Sequence, residues 1–116
     1  MLIVVNAPYN LVRERIRRIR ELDVGVEIYF NNDAIDDTDE RHVKETGNIL
    51  RGEGIRCTVH APFMDLSPGG VDRSVRAITR EKLKRSVTMA HHLGALGVVC
   101  HPGYDRWRFM DNLDIW

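Results

Sequence analysis

Four residues stand where a parallel α/β fold builds its sites. Asn6 follows a first apolar run, Glu27 lies inside a second, His60 follows a third and His101 a fourth. In parallel sheets the site forms at the C-terminal ends of the strands. Each histidine is followed by a proline within two residues, which places it where strand turns to loop. Neighbouring parallel strands lie about 4.8 Å apart, so imidazoles on adjacent strand ends are within reach of one metal ion. Imidazole suits zinc, manganese or iron. A lone strand-end histidine is more often a hydrogen-bonded structural residue. Two at matching positions favour metal ligation at His60 and His101. Tyr104 and Asp105 follow His101 and either meet a substrate or ligand, or serve as a packed aromatic and a turn-stabilising carboxylate.

The elements that must carry these groups follow from patterning. Leu2–Val5 is continuously apolar and ends at Asn6-Ala7-Pro8, as expected of a strand buried on both faces. Leu11–Leu22 places Val12, Ile16 and Ile19 on one face and five arginines elsewhere, predicting an amphipathic helix. Val26–Phe30 is a second strand. Residues 31–38 read as a polar loop with several N-cap candidates. Val43, Thr46 and Leu50 share a face within a helix over Asp39–Arg51, ended by Gly52 and Gly54. Ile55–Val59 is a third strand, and Met64–Val71 a loop. A long helix begins at Asp72 or Arg73 with Val75, Ile78, Leu83, Val87, Ala90 and Leu93 as its apolar stripe. Gly97–Cys100 is the fourth strand. Strands alternating with helices pair in parallel through right-handed crossovers.

At 116 residues the chain is one domain. Lys+Arg and Asp+Glu are 17 each, so the net charge is zero, which gives no support to a general nucleic-acid or anionic-membrane binder. No apolar stretch approaches the roughly 20 residues of a membrane helix. The N-terminus lacks a basic n-region and reads as a strand, not a signal peptide. Two cysteines are too few for a disulfide scaffold, so a reduced, cytoplasmic protein is expected. Strand alternation places Cys57 opposite His60 and Cys100 opposite His101, so both thiols are expected to be buried against the helices. The cations of the third helix, from Arg73 to Arg85, read as a solvated face, with phosphate contact at Arg73 or Arg76 the alternative. His42, His91 and His92 read as helix-surface residues, and Asp65 as a turn-capping carboxylate.

His60-Ala61-Pro62-Phe63 with Asp65-Leu66 and Ser67-Pro68-Gly69, and His101-Pro102-Gly103-Tyr104-Asp105, together resemble the third- and fourth-strand signatures of the xylose-isomerase-like TIM barrels. Val26-Glu27-Ile28 resembles the second-strand motif. That superfamily holds sugar isomerases, sugar-phosphate isomerase/epimerases and endonuclease IV-type repair enzymes. The resemblance implies half of an eight-stranded barrel, with four strands and three complete helices, residues 1–116 forming a single N-terminal half-barrel. It implies that His60 and His101 are metal ligands for zinc or manganese in a site this chain leaves incomplete. Glu27 and Asp105 are then catalytic candidates, and Asn6 and Tyr104 substrate-binding candidates.

The expected function is the N-terminal half of a metal-dependent sugar or sugar-phosphate isomerase/epimerase, inactive alone. An endonuclease IV-like phosphodiesterase and a non-catalytic, self-associating half-barrel are the alternatives. The expected partners are a sugar-type substrate and a second half-barrel or a second copy, as a dimer. Asn112–Trp116 reads as the first turn of a further helix, so the sequence is expected to continue in a longer protein.

Overall fold

The computed structural model describes residues 3–110 and 114. Four strands, β1 (Val4–Pro8), β2 (Gly25–Tyr29), β3 (Cys57–His60) and β4 (Val98–Val99), form one parallel sheet in the order β1-β2-β3-β4. Helices α1 (Tyr9–Glu21), α2 (Asn32–Asp37), α3 (Glu40–Gly52), α4 (Arg73–Leu93) and α5 (Arg106–Phe109) complete the described elements. This is an α/β arrangement matching four consecutive strands of a TIM barrel. The expected further helical turn at Asn112–Trp116 lies outside the described residues, apart from Asp114.

Two-residue alternation divides the strands into two faces. Val26 and Ile28 of β2 and Cys57 and Val59 of β3 are buried against the helices. Val12 and Ile19 from α1, Val43 and Leu50 from α3, and Met89 and Leu93 from α4 belong to the same core. Fully burying one such side chain is worth about 1.5–3 kcal/mol. The opposite face carries Glu27, Tyr29, Thr58 and His60, all half-buried. Register pairs Asn6 with Glu27, Glu27 with Thr58, and Tyr29 with His60, so these side chains rise in layers toward the C-terminal mouth.

Several expectations are corrected. Among the described residues the first strand is Val4–Pro8 and so includes Asn6, while Leu2 of the expected strand lies outside them. Val4 and Val5 are exposed, because among the described residues β1 has a neighbour on one side only. The segment 31–38 is not all loop: Asn31 accepts from the Ala34 N–H and starts α2. The buried face of α4 is Thr79, Ser86, Met89, Ala90 and Leu93, while Ile78 and Val87 are exposed. Thr79 and Ser86 donate to the carbonyls of Val75 and Lys82, at 2.7 and 2.8 Å. Their hydroxyls are thereby satisfied inside the helix, and polar residues enter the interface at little cost.

The cations of α4 are not a purely solvated face either. The Arg85 guanidinium donates to the carbonyls of Ile35, Asp36 and Thr38. Those are the carbonyls that the end of α2 leaves without helical partners. Lys82 donates to the Asn32 carbonyl at 3.0 Å and pairs with Asp36. Arg76 holds the carbonyls of Gly70 and Val71, at 2.6 and 2.9 Å, just ahead of α4. Cys57 is buried as expected, but Cys100 is exposed, because it lies beyond the two-residue β4 at the edge of the sheet.

Candidate functional site

β3 and β4 deliver His60 and His101 to the same point. Their Nε2 atoms lie 3.1 Å apart. His60 Nδ1 lies 3.0 Å from the Ala61 carbonyl, and since a carbonyl only accepts, Nδ1 carries the proton. The lone pair of His60 therefore sits on Nε2 and faces His101, whose Nε2–H donates to it in the absence of a cation. Two imidazoles on one tetrahedral ion, each at 2.0–2.1 Å, would stand about 3.3 Å apart. The observed separation is within a few tenths of an ångström of that value, and both donors are solvent-accessible or half-buried. The pair fits two positions of a zinc-type site. Among the described residues, no group of three or more His, Cys, Asp or Glu side chains forms a fuller one.

Aromatic rings flank the pair. Phe63 lies face to face with His101, centroids 4.3 Å apart and planes at 19°. It meets His60 edge-on at 5.5 Å. Tyr29 contacts His60 at 5.5 Å and 73°. Asn6, Tyr29, His60, Phe63 and Met64 line one shallow pocket at the mouth. Tyr29 and Phe63 were not among the sequence candidates. The available signal was Tyr29 two residues after Glu27 on the same strand face, and Phe63 three residues after His60.

The remaining candidates are placed as follows. Asn6 donates to Glu27 Oε1 at 3.3 Å on the inner face, one layer below His60. Asp105 accepts from the Trp107 N–H at 2.9 Å and caps α5. Tyr104 stacks on Phe109 at 5.8 Å. The structure thus brings His60 and His101 together, sets Asn6 and Glu27 side by side, and engages Asp105 and Tyr104 with α5. Of the helix histidines, His42 accepts or donates through Nδ1 with the Tyr9 hydroxyl at 2.7 Å, and His92 Nε2 lies 3.3 Å from Glu40. Asp65 is exposed in a turn with φ of 59°.

The loops bearing the two histidines interlock. Gly103 has φ of 70°, and a Cβ there would lie 2.9 Å from Ser67 Cα and 3.0 Å from the Leu66 carbonyl oxygen. Glycine is needed at this position both for the backbone conformation and for the closeness of the Ser67 loop.

A parallel sheet with helices on one face and two histidines at its C-terminal mouth defines a partial TIM barrel. Residues 16–114 match the family model of the xylose isomerase-like TIM barrel, and the chain belongs to that family. It is similar to the TTHB071 protein from Thermus thermophilus, in a crystal soaked with ZnCl2. That match has 24% identity and a TM-score of 0.75, over 90% of this chain and 41% of that one. A D-tagatose 3-epimerase-like protein matches with the same identity and TM-score over 99% of this chain and 43% of that one. The uncharacterised protein MJ1311 of Methanocaldococcus jannaschii is 40% identical over 50 residues, which are 43% of this chain and 17% of that protein. The chain thus spans less than half the length of these relatives. Among the described residues no helix is long and apolar enough to cross a membrane.

Proposed function

We propose that this chain supplies the N-terminal half of the active site of a metal-dependent sugar isomerase or epimerase, and that it has no substantial turnover alone. The observation that carries the reading is the 3.1 Å separation of the His60 and His101 Nε2 atoms at the mouth of a xylose isomerase-like sheet. The likeness to an epimerase-like protein is of fold, and supports the substrate class only together with that family membership.

His60 and His101 would hold a zinc or manganese ion, with further ligands from the other half of the barrel, since such sites take three or four. A divalent ion there would polarise a sugar carbonyl and its neighbouring hydroxyl. The Ala61 carbonyl keeps the His60 proton on Nδ1 and so keeps Nε2 free to ligate. Phe63, Tyr29 and Met64 offer an apolar wall to the C–H face of a sugar ring, and Asn6 with Glu27 offers hydroxyl-binding groups. Glu27 is the candidate on this chain for moving a proton, through its carboxylate oxygens.

The sheet edges also favour a partner that completes the barrel. Among the described residues β1 and β4 each have an unpaired side, and Val4, Val5, Leu96 and Val99 on or beside them are exposed. Open apolar edges favour pairing with further strands. The complement is a second half-barrel, from the same polypeptide or from a second copy in a symmetric dimer.

The test is native mass and metal content on one sample, followed by isomerase and epimerase assays. A dimer or a two-fragment complex with zinc or manganese near one per site supports a completed barrel. Zinc binding that survives His60→Ala and His101→Ala would remove the metal site from these residues. Full turnover by the monomer would remove the claim of inactivity.

A further inference from the structure

We infer that Phe63 is a positioning residue for the metal site: its ring holds the His101 imidazole at the angle at which its Nε2 meets that of His60. The inference rests on the reading of His60 and His101 as metal ligands, and adds a residue that ligates nothing itself.

The two histidines are held unequally. His60 lies on a regular strand and its ring is fixed at Nδ1 by the Ala61 carbonyl at 3.0 Å. His101 lies beyond the end of β4, which has only two residues, and is exposed. Its ring meets His60 through Nε2 and meets Phe63 across its face. A centroid distance of 4.3 Å at 19° is a parallel stack, and such a contact fixes the plane of a ring. Tyr29 of β2 also meets the Phe63 ring, centroids 6.2 Å apart and tilted by 46°, so the stacking ring has a contact to the sheet as well. Ligand atoms must be held within about half an ångström and 10–20° to keep a metal site intact. The chain runs from Ala61 through Pro62 to Phe63, and Ala61 and Pro62 are buried, so Phe63 is presented by an anchored segment. One loop therefore serves both ligands: Ala61 sets the tautomer of His60, and Phe63 sets the plane of His101.

The experiment measures zinc affinity of the whole chain by competition with a chromogenic chelator, with cobalt absorption as a second readout of ligand geometry. Three proteins are compared: wild type, Phe63→Leu and Phe63→Tyr, each checked for an unchanged far-ultraviolet circular dichroism spectrum. Phe63→Leu keeps apolar bulk and removes the stacking plane. It is expected to weaken zinc binding about tenfold, as the loss of a group orienting a ligand does, and to shift the cobalt bands. Phe63→Tyr keeps the plane and is expected to bind within about twofold of wild type, since the stacking contact is retained. Wild-type affinity in a folded Phe63→Leu overturns the inference, as does equal weakening in both variants, which would make the position merely structural. Absence of zinc binding in the wild type when it is assembled with its complementary half, as a dimer or a two-half complex, overturns the metal reading itself, and this inference with it.

Discussion

Gly47 of α3 lies against the backbone of Leu93 in α4: a Cβ built on it would stand 2.8 Å from Leu93 Cα and would also collide with the His92 carbonyl oxygen. The two helices therefore meet backbone to backbone at this crossing. Neither neighbour is a side chain that could swing aside. Gly47→Ala is expected to destabilise the fold by about 1–3 kcal/mol through overpacking, despite the higher helix propensity of alanine. Urea unfolding checks this. A gain in stability would mean that the helices separate there without cost.

The two thiols should behave as different reagents. Burial pushes the Cys57 thiol up to about 11, and Cys100 is exposed. Thiolate is the reactive form, so at pH 8 a disulfide reagent should label one thiol per chain quickly, and the second only on unfolding. Cys100→Ser should remove the fast phase and Cys57→Ser the slow one. The folded-state value of Cys57 lies above its ordinary value of 9.0. Its contribution to stability is therefore complete below about pH 9 and is lost as pH rises through about 11. Cys57→Ala should flatten the alkaline fall in melting temperature.

Asp72 starts α4. Its carboxylate accepts the N–H groups of Ser74 and Val75, at 2.7 and 3.1 Å. These backbone hydrogen bonds, with Arg76 adding a smaller pull, hold it below the usual carboxylate range. A depressed folded-state value contributes stability above the unfolded pKa of about 3.9, and that stability is lost as pH falls further. Asp72→Ala should lower the melting temperature at pH 6 and leave less dependence between pH 5 and 3. Asp72→Asn should keep much of the cap and lose the pH dependence. Thermal melts across that range would refute the assignment if the wild type and Asp72→Ala curves ran parallel.

Much of this could be read from residues alone, and the exceptions have physical causes. His60 and His101 were legible because a proline within two residues marks where a strand ends. The βα order was legible because apolar runs such as Val26–Phe30 and Ile55–Val59 are separated by stripes at helical spacing such as Val12, Ile16 and Ile19. The stripe on α4 was misread at Ile78 and Val87 because Thr79 and Ser86 satisfy their own hydroxyls and take the buried positions instead. The clamp of Arg85 on the end of α2 joins residues about fifty positions apart, beyond any local pattern. Tyr29 became a site residue through its register with His60, and Phe63 through the loop after β3 that stacks it on His101.

The alternation along β2 and β3 has a consequence for how this protein can change. Neighbouring residues on one strand answer to different demands. Val26, Ile28, Cys57 and Val59 belong to the hydrophobic interior, whereas Glu27, Tyr29, Thr58 and His60 lie half-buried on the opposite face. Substitutions on the second set leave the helix-packed layer intact. A lineage, or an engineer, can rewrite the mouth of the barrel one side chain at a time while the scaffold beneath it stays the same.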